Sequence, residues 1–136
     1  MQINILAVAV ATVSAMGVGA LWYGPLLGRA WRSAAGLAPD HGPARPAVVY
    51  GGTLVSTVVT VVVLAALSWA VSTALGTGIL PAAILTAAAL WVGVAAARPL
   101  INVLFEAGSA KLYAINAGHD LVVLVVAAVI IGLFGN

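Results

Sequence analysis

The chain of 136 residues is 64% hydrophobic and only 6% charged, with five basic and three acidic side chains. Soluble domains carry about 25% charged residues, so this composition excludes a soluble globular protein, and its hydrophobicity excludes a disordered one. What remains is an integral membrane protein in contact with the lipid bilayer. The sequence contains no cysteine, which excludes disulfides and thiol chemistry. Five scattered cations are too few for a nucleic-acid surface, so we expect no nucleic-acid partner.

Four apolar stretches are each long enough for a ~30 Å hydrocarbon core, which a helix of about 20 residues crosses. We expect spans over 3–27, 47–75, 79–105 and 112–134 within a single domain 1–136, and a loop over 28–46. The break between the second and third spans is expected at 76–78, where Gly76 and Gly78 flank Thr77, and Pro81 suits the first turn of the next helix. The sequence thus predicts an all-α, polytopic membrane protein with four transmembrane helices in an up-down bundle.

The charged residues predict the orientation of this bundle. The first connection carries Arg29, Arg32 and Arg45 and the third carries Lys111, whereas the second connection and both ends carry no charged side chain. Because basic residues favour the cytoplasmic side, we expect both termini outside, in a bacterial cytoplasmic (inner) membrane. The N-terminal stretch has no basic region and is too long for a signal peptide, so we expect it to be retained as the first span.

Small residues recur at four-residue spacing along the predicted helices, and the second helix carries Gly52, Ser56 and Thr60 in this register. Such stripes favour close helix packing, with hydroxyl groups bonded to carbonyls one turn back. The alternative is that the hydroxyl stripe forms the wall of a polar pathway. The number of stripes also indicates self-association, and we expect a homo-oligomer.

Charged side chains inside a membrane span are costly and mark a functional hypothesis. If the third and fourth helices form a hairpin whose turn centres near Ser109, Arg98 lies at the depth of Asp120, and Asn102 at the depth of Asn116. The i, i+4 spacings place each pair of residues on one face of its helix. We therefore expect these polar residues to meet between the two helices.

Three interpretations of this cluster remain open. Arg98 and Asp120 could form a structural ion pair that fixes the register of the hairpin. They could instead belong to a binding or conduction site, in which Arg98 holds an anionic group and His119, a side chain type that changes charge near neutral pH, adds pH sensitivity. In a catalytic interpretation, Asp120 and His119 are a base and its partner. One histidine and one carboxylate are too few ligands for a metal centre, so we expect no metal and no cofactor.

Two stretches resemble a known family. Residues 21–31 read LWYGPLLGRAW, similar to a signature with an aromatic residue before Tyr-Gly-Pro-Leu, followed by Gly, a basic residue and Trp. Residues 102–106 (NVLFE) and 115–122 (INAGHDLV) resemble its C-terminal part. The resemblance is to the bacterial family called domain of unknown function 1761, small four-helix membrane proteins, and it implies that architecture without an activity. Where the family has an aromatic residue and then His after the Gly, this chain has His119 and Asp120, so the resemblance assigns no role to His119.

The function expected from these observations is an oligomeric transporter or channel-like protein for a small anionic or organic solute. The candidate binding residues are Arg98, Asn102, Asn116, His119, Asp120, Trp22 and Tyr23. One alternative is a metal-free membrane enzyme or binding protein for a lipophilic small molecule, with His119 and Asp120 as the catalytic candidates. Another is a structural or accessory subunit. The first helix lacks the embedded carboxylate of small multidrug exporters, and two histidines are too few for a two-haem bundle.

Overall fold

The computed structural model describes residues 1–134 and confirms the all-helical class. Four helical stretches are long and apolar enough to cross a membrane, namely Ile5–Leu26, Pro46–Leu75, Ile79–Phe105 and Ala110–Phe134. The regular α-helices are α1 (Ile5–Leu21), α2 (Gly28–Ala34), α3 (Pro46–Leu75), α4 (Ile79–Leu90), α5 (Ala97–Phe105) and α6 (Ala110–Phe134). The protein is therefore a membrane protein of four helical spans.

Each span packs against the spans that precede and follow it in the chain, and α1 also packs against α6, which closes an antiparallel ring. The closely packed core consists mostly of small and aliphatic side chains, and Ala11, Val61, Leu64, Ala83 and Ala128 are fully buried. Small residues allow helix backbones to approach closely where lipid removes the hydrophobic drive for association. This packing gives the expected up-down bundle.

The two ends of the bundle differ in charge. At one end, called here the uncharged end, lie the start of α1, the α3–α4 turn and Phe134. There Gly76 takes the left-handed conformation (φ 62°) that ends α3, and the Asn4 amide donates to the Phe134 carbonyl at 2.6 Å. The opposite end, called the charged end, holds the basic connection after α2 and the turn between α5 and α6.

The connection over 28–46, expected as a loop, is partly helical. Its first seven residues form α2, so the irregular segment is confined to 35–45. In the α5–α6 turn the left-handed residue is Ala107 (φ 50°) rather than the neighbouring Gly108, and the Ser109 hydroxyl caps α6 by accepting from the Leu112 amide at 3.1 Å.

Two spans widen into π-helical turns, at Trp22–Leu26 and at Trp91–Ala96. In the first, Gly24 leaves helical geometry (φ −107°, ψ −107°) before Pro25, and the Leu27 amide bonds the Trp22 carbonyl five residues back at 2.8 Å. The first span is therefore broken at Gly24 and Pro25. Short π-turns within α-helices are frequently found at functional sites.

Candidate functional site

Two tryptophans hold α6 from neighbouring spans. The indole Nε1 of Trp22 donates to the Ile115 carbonyl at 3.0 Å, and that of Trp91 donates to the Ala117 carbonyl at 2.7 Å. Each tryptophan is the first residue of a π-turn. Gly118 makes room for one of them, since a Cβ atom there would lie 3.1 Å from the Trp22 ring. The π-turns thus direct two indoles onto the segment of α6 that carries the polar residues.

Tyr23 extends this contact to the side chains of α6. Its hydroxyl donates to Asn116 Oδ1 at 2.6 Å, and its ring centre lies 4.9 Å from that of His119. The indole of Trp31 in α2 packs edge-on against the Tyr23 ring, with the two ring centres 5.3 Å apart. Gly19 faces His119, where a Cβ atom would lie 3.4 Å from Nε2. The structure therefore brings Trp22, Tyr23, Asn116 and His119 together.

His119 and Asp120 form a pair, with Nδ1 and Oδ1 3.1 Å apart. Within residues 1–134, it is the only pair of a basic and an acidic side chain whose nitrogen and oxygen atoms lie within 4 Å of each other. The ion pair between Arg98 and Asp120 considered from the sequence is not formed, and Arg98 is exposed. A shared depth on two helices does not fix the direction of a side chain, and the long arginine side chain places its charge toward water instead of beside Asp120.

A groove of about 800 Å³ lies between α3 and the third span in the charged half of the bundle, and His119 and Asp120 belong to its floor. We call it the α3 groove. It is lined by Val49, Gly52, Thr53, Ser56, Thr57, Val59, Thr60, Val63, Leu90, Val94, Ala95, His119, Asp120, Val123 and Leu124. The groove thus combines an apolar wall with hydroxyl groups and one carboxylate.

The threonine hydroxyls of this groove already donate their hydrogens to the α3 backbone. Thr53 bonds to the Val49 carbonyl at 2.7 Å, Thr57 to that of Thr53 at 2.8 Å, and Thr60 to that of Ser56 at 3.0 Å. This is the bonding one turn back expected for a packing stripe. A hydroxyl whose hydrogen is used in this way offers only oxygen lone pairs to a ligand. These three threonines therefore offer hydrogen-bond acceptors, and Ser56 adds a hydroxyl that can donate or accept.

A second cavity, of about 210 Å³, separates α5 from α6, and we call it the α5–α6 cavity. Asn102, Glu106, Asn116 and Asp120 are among its lining residues, together with Ser109 of the turn. Asn102 and Asn116 therefore face one space, as their matched depth predicts. A further hollow of about 320 Å³ at the uncharged end has no charged side chain in its lining. Arg98 lines none of these three cavities.

The role of Trp91 in holding α6 was missed by the reasoning from sequence, although an internal repeat signals it. Ala-Leu-Trp occurs at 20–22 and at 89–91, and in both copies a glycine follows two residues after the tryptophan and an arginine seven residues after it. Both copies form π-turns that begin at the tryptophan. Comparison of the chain with itself would have identified the two tryptophans as equivalent.

No set of three or more His, Cys, Asp or Glu side chains within residues 1–134 is close enough to hold a metal ion. The polar groups gathered here are one imidazole, one carboxylate, amides and hydroxyls.

The comparisons with known proteins identify a family for this chain but assign no activity to it. The profile of the family described as "Protein of unknown function (DUF1761)" matches residues 6–132, nearly the whole chain. No curated protein and no solved structure matches the chain.

Proposed function

The chain belongs to the DUF1761 family of proteins of unknown function, and we propose that it is a small transporter for organic solutes that binds them in the α3 groove. The observation that carries this proposal is the floor of the groove, where Asp120 and His119 lie below an acceptor-lined wall. We further propose that the protein is a homo-oligomer of the bacterial inner membrane, with both termini outside.

The chemistry of the groove favours an organic cation over an anion. Asp120 contributes a carboxylate, and Thr53, Thr57 and Thr60 contribute oxygen lone pairs. An ammonium or pyridinium group is complementary to such a surface, and apolar side chains of α3 suit the hydrocarbon part of the molecule. Arg98, the residue that an anion would need, lies outside the cavities described above.

The depth of Asp120 makes a bound cation favourable. The residue is ten positions after the start of α6, about 15 Å along the helix axis, and its side chain is 46% exposed. A charged side chain far inside the hydrocarbon region is costly unless water, a partner or a ligand compensates it. A cationic solute in the groove supplies that compensation.

Transport assays test the proposal directly. Purified protein in lipid vesicles should take up radiolabelled N-methyl-phenylpyridinium above the level of protein-free vesicles, whereas benzoate, a smaller aromatic anion, should stay at that level. Asp120→Asn should reduce cation uptake at least tenfold. Asp40→Asn is the matched control, because Asp40 is exposed in the connection after α2. Uptake of benzoate that depends on Arg98 would contradict the proposal.

A binding protein or metal-free enzyme for a lipophilic molecule is a second candidate, favoured by the position of the groove on the surface of the bundle. Val49, Val59, Val63 and Val94 line it and are exposed, so a molecule dissolved in the bilayer can reach it from the side. His119 and Asp120 are the proton-transfer pair of this candidate. Mass spectrometry of the purified protein tests it, since a stoichiometric lipophilic compound that Asp120→Asn releases would favour binding over transport.

A further inference from the structure

Asp120 borders two separate spaces. It lies in the floor of the α3 groove and also in the wall of the α5–α6 cavity. The α5–α6 cavity extends to the turn at the charged end, since Glu106, Gly108 and Ser109 line it as well. Asp120 thus lines both the groove and a cavity that reaches the turn at the charged end.

The groups around this carboxylate exchange protons or carry negative charge. On α6 itself, His119 lies 3.1 Å away, and Tyr23 of the first span packs against that imidazole. Glu106, which directly follows α5, and Tyr113 of α6 line the same cavity as Asp120. No lysine and no arginine lines the α5–α6 cavity or the α3 groove. A positive charge that neutralises Asp120 must therefore come from His119, from a proton or from a bound solute.

We propose that the His119–Asp120 pair binds one exchangeable proton, which the α5–α6 cavity connects to water at the charged end, and that this proton and an organic cation in the α3 groove exclude each other. The proposal rests on the transport function proposed above and adds its energy source, a proton gradient. A carboxylate can be neutralised once, by an O–H bond or by a neighbouring cation. Binding of either therefore weakens binding of the other.

The exchange balances in charge and in atoms. A proton from water forms an N–H bond on His119 or an O–H bond on Asp120 while the groove is empty. When the cation enters the groove, that bond breaks and the proton returns to water on the side from which the cation came. One positive charge replaces one positive charge, so no oxidant, reductant or further reactant is needed.

Vesicles with an acidic interior and a trapped pH indicator test the exchange, with the membrane potential held at zero by potassium and valinomycin. External N-methyl-phenylpyridinium, which carries a fixed charge and no exchangeable proton, should enter and raise the internal pH, with one proton leaving per cation. A protonophore should lower the uptake several-fold. Uptake that the protonophore leaves unchanged would overturn the coupling and keep the transport function. Lack of uptake with and without the gradient would overturn both.

A second measurement needs no transport and no variant of Asp120. Dicyclohexylcarbodiimide reacts with protonated carboxyl groups in apolar surroundings, and peptide mass spectrometry of the wild-type protein locates the adduct. Labelling of Asp120 should decrease as the pH rises and should decrease several-fold at constant pH when N-methyl-phenylpyridinium is added. Glu106→Gln is the matched variant, since it removes the other carboxyl group of the α5–α6 cavity and should leave the label on Asp120. Labelling of Asp120 that the cation does not change would overturn the proposal.

Discussion

The two halves of the bundle hold α6 in different ways. Near the uncharged end the helices touch directly, because Gly132 faces Leu80 and Ala128 is fully buried. In the charged half, Trp22 and Trp91 reach across from the neighbouring spans and bond to α6 carbonyls. Small side chains bring helices together and large ones keep them apart. The size of the contacting residues therefore decides which half is closely packed and which half contains the α3 groove.

The two halves also differ in what their residues contribute, namely stability in the packed half and solute binding in the charged half. The closely packed half contains fully buried apolar side chains such as Leu64, whereas the charged half contains His119 and Asp120 and two cavities that Asp120 borders. We expect substitutions near the uncharged end to lower the free energy of unfolding. Substitutions around the groove should act mainly on solute binding.

The largest loss of stability is expected from truncation of a fully buried side chain in the packed half. Leu64→Ala leaves a cavity and should lower the free energy of unfolding by about 2 kcal/mol or more. Leu54→Ala is the matched control on the same helix, because Leu54 is 46% exposed. Unfolding in mixed detergent micelles followed by circular dichroism measures both. Equal losses for the two variants would show that the halves do not differ in packing.

A smaller loss is expected where one atom is added between two helices in contact. In Gly132→Ala the new Cβ would lie 2.6 Å from the Leu80 Cα, so the backbones must move apart, at a cost of about 1–3 kcal/mol. Gly17→Ala is the control, since nothing lies within 4 Å of the position of its Cβ. The same unfolding assay should find Gly17→Ala as stable as the wild type or more stable. An unchanged Gly132→Ala protein would mean that α4 and α6 are not in direct contact.

The smallest change is expected from removal of one indole hydrogen bond in the charged half. Trp22→Phe and Trp91→Phe each keep an aromatic side chain and remove the indole donor to α6, and the lost hydrogen bond should cost about 1 kcal/mol. Trp69→Phe is the control, because Trp69 lies in the other half and is 40% exposed. If the Trp22 and Trp91 variants unfold like the Trp69 variant, the two indoles do not hold α6.

The sequence predicts the four spans well because each is a long apolar stretch, and the break at Gly76 follows from glycine chemistry. The charge distribution and the helical periodicity also identify His119, Asp120 and Asn116 as candidate site residues. These properties depend on local composition. The spans, the break and the candidate residues can therefore be predicted without knowing how the helices pack.

The relation between the third and fourth helices could not be obtained in this way. Matched depths place Arg98 and Asp120 at one level of the hairpin but do not fix the direction of the arginine side chain, which is exposed. The π-turn at Trp91–Ala96 was also missed. A π-turn forms where tertiary contacts stabilise it, and here the Trp91 indole donates a hydrogen bond to the Ala117 carbonyl. The helix α2 was missed for a similar reason, since Trp31 packs on Tyr23 from a segment with the composition of a loop.

We expect the α3 groove to be open to solutes and to select cations, and the lack of cysteine in the chain makes both properties directly measurable. Ser56→Cys places one thiol in the groove, and Val62→Cys places one on the exposed surface of the same helix, outside the groove lining. A cationic methanethiosulfonate reagent should modify Cys at position 56 at least tenfold faster than the anionic reagent, and N-methyl-phenylpyridinium should slow this reaction. The thiol at position 62 should show neither effect. Equal rates for both reagents at position 56, unaffected by the cation, would contradict the account.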